Sequence, residues 1–174
     1  DNITIFTNKC DANGNLLWGA NHKTVYTNTG NHVPIYSVPR IYSDGNGGAL
    51  YSYFTTEADV IYSSAQRFNS SGNNLFTSNG TVSAVSSQYF HVEPYLAYMP
   101  GTDETFLFWT EADAATQDHQ AIFGQKFSST GARLWGDNGK GYSVLDTASI
   151  YGISCFAKDT NVVVAYADGN FSGN

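Results

Sequence analysis

The residues best equipped for chemistry are acidic, and each set follows an aromatic residue. Tyr53 precedes Glu57-Ala58-Asp59, Trp109 precedes Glu111-Ala112-Asp113, and Tyr166 precedes Asp168-Gly169. Two chemistries use such sets. Paired carboxylates on either side of a bond are the acid and base of a glycosidase, and Glu57, Asp59, Glu111, Asp113 and Asp118 are the candidates. Aromatic faces beside polar groups instead stack on sugars and hydrogen-bond them without cleaving them. On that reading the ligand-binding set is Tyr53, Glu57, Asp59, Trp109, Glu111 and Asp113. The acidic loops recur along the chain, whereas an active site is normally unique, so no residue is assigned a catalytic role. The aromatic residues also suit a core between sheets, and Trp18, Phe76 and Trp135 suit it best.

Other chemistries have weaker footing. His22, His32, His91 and His119 show neither i, i+4 nor His-x-His spacing. No G-x-S-x-G elbow occurs. Gly45-Asn46-Gly47-Gly48 has no following Lys to make a phosphate loop. No cofactor is expected. Calcium is the one ion the acidic loops could hold, and Asp168 to Asn174 is the most oxygen-rich stretch, but it lacks the spacing of a calcium loop. Cys10 and Cys155 form no Cys-x-x-Cys motif. They are read either as two separate buried thiols or as one disulfide tying the first strand to the C-terminal region.

Composition narrows the partners. Only 13% of the 174 residues are charged, and the net charge is −7 with 8 basic residues. Phosphate backbones need clustered Lys and Arg, so no nucleic-acid partner is expected. No apolar run approaches the roughly 20 residues of a spanning helix, so no membrane insertion is expected. Low charge with abundant Ser, Thr, Asn and Gln is common on extracellular β proteins.

The elements that must position these side chains are short strands. Runs rich in Val, Ile, Tyr, Phe and Thr, four to eight residues long, alternate with Gly and Asn turns. Two elements recur with one period. Gly14, Gly72 and Gly131 are 58 and 59 residues apart, as are Trp18, Phe76 and Trp135. The aromatic residues Tyr53, Trp109 and Tyr166 are 56 and 57 apart. Each unit reads as about four strands joined by hairpins.

Tyr42-Ser43-Asp44-Gly45-Asn46-Gly47-Gly48-Ala49-Leu50, Asp59-Val60-Ile61-Tyr62 and Ala65-Gln66-Arg67-Phe68 together resemble one repeat of a bacterial β-propeller family with DGxGG, DIYAQR and GxxLW..NG signatures. Members of that family occur in large secreted or cell-surface proteins. The resemblance is strongest over residues 39–80 and departs at Met99-Pro100-Gly101, Tyr53 and Asn21-His22. It implies an all-β fold of propeller-like blades, each of about four antiparallel strands, with about three repeats making a half-propeller. The alternative is a β-trefoil.

On this reading 1–174 is a single repeat domain. Residues 1–19 end a blade, 20–80 and 81–139 are repeats, and 140–174 is a partial repeat completed by 1–19 of the same or another chain. Self-association, or membership of a longer chain, is expected. The expected function is a non-catalytic binding or scaffold module, extracellular or at the cell surface, taking a glycan or protein. The alternatives are a self-assembling structural surface protein and part of a carbohydrate-active enzyme.

Overall fold

A computed structural model describes residues 3–27, 30, 32–34 and 36–169. The fold is all-β and antiparallel throughout. The strands are β1 (Ile5–Thr7), β2 (Lys23–Tyr26), β3 (Arg40–Ser43), β4 (Ala49–Glu57), β5 (Val60–Phe68), β6 (Thr81–Val82), β7 (Tyr89–Met99), β8 (Glu104–Asp113), β9 (Gln120–Phe127), β10 (Lys140–Gly141), β11 (Ser149–Lys158) and β12 (Asn161–Gly169). They form four meanders: β1-β2, β3-β4-β5-β6, β7-β8-β9-β10 and β11-β12. Each packs face to face on the next, as propeller blades do, rather than closing into the barrel of a trefoil. β2 pairs backward with β1, so Lys23–Tyr26 belongs to the first sheet and not to a unit beginning at residue 20.

Three apolar layers hold the stack. Val25, Tyr51, Tyr53 and Phe68 fill the first gap. Leu50, Leu96, Leu107 and Trp109 fill the second, and Phe106, Phe108, Ile122 and Ile153 the third. β4 and β8 lie in the middle of the two complete sheets and are covered on both faces. Their residues are therefore buried almost without alternation, like strands roofed on two sides. β12 alternates between half-buried and exposed because only one of its faces is covered.

The hairpin turns explain the local path. Ala58 and Asp59 both have positive φ (46° and 66°), the pattern of a two-residue primed turn whose twist matches the strands it joins. At Asp44-Gly45-Asn46-Gly47-Gly48, the buried Asp44 carboxylate accepts the N–H groups of Asn46 and Gly48, each at 2.8 Å. A side chain at Gly48 would come within 2.3 Å of the Phe68 carbonyl, so only glycine fits.

Two hydroxyls peg the complete sheets together. A bulge between Val92 and Tyr95 turns the backbone of β7, with Glu93 at φ 55° and Pro94 unable to donate. The Ser52 hydroxyl donates to the Pro94 carbonyl at 2.9 Å, and the Ser63 hydroxyl donates to the His91 carbonyl at 2.8 Å.

Both cysteines are free thiols. Cys10 is exposed and Cys155 half-buried, so neither reading of the pair fits as drawn: there is no disulfide, and only Cys155 is even partly enclosed. Burial pushes the Cys155 thiol up to about 12. No helix among the described residues is long and apolar enough to cross a membrane.

Candidate functional site

The six residues singled out from sequence divide into two groups. Tyr53 and Trp109 are fully buried between sheets. The Tyr53 hydroxyl donates to the Asn79 carbonyl at 2.6 Å, and Trp109 packs against His91 and Phe123. Neither ring offers a face to a ligand. Strand alternation sends these aromatic residues into the gap between sheets, where their area is covered by the neighbouring blade.

Glu111 is buried with them. It lies two residues from Trp109 on the same face of β8 and opposite His91 on β7. The Trp109 indole N–H donates to Glu111 Oε2 at 3.2 Å, and His91 Nε2 lies 3.7 Å from the same oxygen. Burial disfavours charge on both groups. It raises the Glu111 carboxyl to about 7 and lowers the His91 imidazole to about 4.

Asp113 serves the β8–β9 loop. Its carboxylate accepts the N–H groups of Thr116 at 2.8 Å and of Ala115 and His119 at 3.1 Å. The Thr116 bond leads in holding this carboxyl far below the usual carboxylate range. Asp113, Asp118 and His119 bring ligand atoms within 4.8 Å of one another. One imidazole with two carboxylates already engaged by backbone and Thr116 falls well short of the roughly six to eight oxygens calcium takes. Most of Asp168 to Asn174, the other calcium candidate, lies outside the described residues.

Glu57 and Asp59 are exposed, Glu57 at the end of β4 and Asp59 within the β4–β5 turn. Asp59 borders an open groove of about 490 Å³, lined also by His32, Tyr36, Thr56, Ile61, Phe90 and Gln117. The groove is built by pinning an irregular segment to the end of β4. His32 and Thr56 exchange backbone hydrogen bonds at 2.7 and 3.0 Å. The Ser37 hydroxyl donates to the Phe54 carbonyl at 3.1 Å and accepts the Phe54 N–H at 3.2 Å. Between these anchors Tyr36 rests against the Phe54 ring, centroids 5.7 Å apart, yet stays 65% exposed. An exposed aromatic face thus sits beside a carboxylate, an amide, a hydroxyl and an imidazole. Sequence reasoning missed Tyr36. The available signal was Val33-Pro34 and Val38-Pro39, which mark Tyr36 as lying outside a regular strand.

Comparison with known proteins gives no match: no family model fits the chain, and no curated protein or solved structure is significantly similar to it.

Proposed function

We propose that this chain is a non-catalytic binding module of an extracellular or cell-surface protein, and that its groove takes a glycan. The exposed Tyr36 ring beside Asp59, Gln117, Thr56 and His32 carries the reading. A sugar's C–H face stacks on such a ring while its hydroxyls find donors and acceptors at the edge. Asp59 is the one carboxylate among the described lining residues, so the groove lacks the second carboxyl that glycoside hydrolysis normally needs. The low charge of the chain and its resemblance to secreted propeller repeats support the extracellular setting.

Titration of isotope-labelled protein with neutral and acidic oligosaccharides tests this. Shifts confined to residues of the groove, abolished in Tyr36→Ala and kept in Tyr36→Phe, are expected. Oligosaccharide binding undiminished in Tyr36→Ala, or no binding to any member of a broad glycan array, refutes it.

A further inference from the structure

The geometry points to a second copy of this chain as the partner of both terminal sheets: β12 of one copy pairs with β1 of the other, and the two half-sheets become one of four strands. This is independent of glycan binding in the groove. Three observations carry it.

The first is register. In the complete sheets the strand pairs β4–β5 and β8–β9 run Ala49↔Phe68 and Thr105↔Phe127, and Tyr53↔Ser64 and Trp109↔Phe123. Tyr166 stands on β12 where Tyr53 and Trp109 stand, and Phe6 on β1 where Ser64 and Phe123 stand. The same pairing therefore sets Val162 opposite Cys10 and Tyr166 opposite Phe6. Asn8 already behaves as a residue of that third strand. Its side chain accepts the Lys9 N–H and donates to the Gly19 carbonyl, as Gln66 and Gln125 do to Arg67 and Thr77 and to Lys126 and Gly136.

The second is a socket. At each of two sheet junctions an aromatic ring lies on a positive-φ glycine of the next sheet. Trp18 covers Gly72, and Phe76 covers Gly131, so closely that a Cβ would meet the rings at 2.7 and 2.6 Å. Trp135 is the third such ring and Gly14 the third such glycine. The space beside Gly14 is open, with no atom within 4 Å of a Cβ built there, and Trp135 is only half-buried where Trp18 and Phe76 are buried. In the paired arrangement Trp135 of one copy sits over Gly14 of the other.

The third is apolar surface. Val163 on β12 occupies the place of Leu50 and Phe106, and Ile41 on β3 that of Leu96. Leu50, Phe106 and Leu96 are buried, whereas Val163 is 48% exposed and Ile41 is 65% exposed. Joining the half-sheets lays the Val163 face of one copy against Ile41 of the other. Each copy then contributes two complete sheets and two halves, and a two-fold axis closes a ring of six four-stranded blades in which the edges of β12 and β1 are paired.

Light scattering on the full chain tests this. Twice the 18.9 kDa chain mass is expected. In a Cys155→Ser background, Val162→Cys under mild oxidant is expected to give a covalent dimer on a non-reducing gel, and adding Cys10→Ser is expected to abolish it. Gly14→Asn is expected to give a monomer with an unchanged far-ultraviolet spectrum, since Asn tolerates positive φ but fills the socket. A single-chain mass at high micromolar concentration overturns the proposal. So does open-ended growth, or a dimer in which the Val162→Cys thiol does not reach Cys10.

Discussion

Replacing Gln125 with leucine removes four hydrogen bonds while roughly keeping the volume of a fully buried side chain. The Gln125 amide N–H donates to the carbonyls of Gly136 at 2.7 Å and Ser83 at 3.2 Å. Its carbonyl accepts the N–H groups of Trp135 at 2.9 Å and Lys126 at 3.1 Å. Each backbone group left unpaired in the interior costs about 1–3 kcal/mol. Water reaches Gly136, Lys126 and Trp135 in part, which places those three at the low end, and the Ser83 bond is long. The extra apolar burial of leucine offsets some of the loss. A net cost of about 3 kcal/mol follows, or roughly 6–12 °C in Tm for a chain of this size. The matching substitution Asn8→Leu, whose bonds lie near solvent, costs under about 1 kcal/mol. Urea melts of both variants and the parent at one protein concentration check this, the fixed concentration removing mass-action shifts. A Gln125→Leu protein within 1 kcal/mol of the parent, or one no worse than Asn8→Leu, refutes the hydrogen-bond account.

Glu111 and His91 push the pH dependence of stability in opposite directions. The carboxyl, raised from 4.5 to about 7, favours the folded state most at low pH and loses that contribution as pH climbs through 7. The imidazole, lowered from 6.5 to about 4, costs stability as pH falls through that interval. The two slopes oppose each other between 4.5 and 6.5, so Glu111→Gln is expected to unmask a stability that rises with pH up to about 6.5 and then levels. Melts across a pH series read this directly, and a variant curve parallel to the parent's refutes it. At the β4–β5 turn, Ala58→Asn is expected to stabilise the protein by about 0.5–1 kcal/mol, because Asn accepts positive φ more readily than Ala. An unchanged or lowered melting temperature counts against a primed turn there.

The all-β architecture was legible because short β-branched and aromatic runs stand between Gly-rich turns whose geometry the sequence names outright. Residues 39–80 hold β3, β4 and β5 and end just before β6, and Asp44 to Gly48 forms the tight turn expected of it. The faces of the central strands were not legible. Ala49 to Thr55 is buried without alternation, so nothing in the run marks Tyr53 as interior rather than ligand-facing. The same roofing on both sides hides Trp109 and Glu111. The pairing of His91 with Glu111 depends on cross-strand register, which a bulge at Glu93-Pro94 shifts and which no residue spacing encodes. Tyr36 escaped notice because the groove draws its members from an irregular segment, two hairpin ends and a long loop. Asp59 is the one residue of the sequence-derived set that lines it.

The two serine hydroxyls on the second sheet have a mechanical consequence. Their acceptors are the carbonyl of Pro94, inside the β7 bulge, and that of His91, just before it. The apolar layers interdigitate and resist sliding, and directional bonds add to that resistance. Two directional bonds from two different strands act with that packing, with the Arg67–Asp103 ion pair at 2.7 Å and with the Phe76 ring on Gly131 to hold the angle between these two blades. That angle is the wedge from which any larger curvature must be composed, so the two small hydroxyls contribute to the radius of whatever closed or open arc the molecule forms.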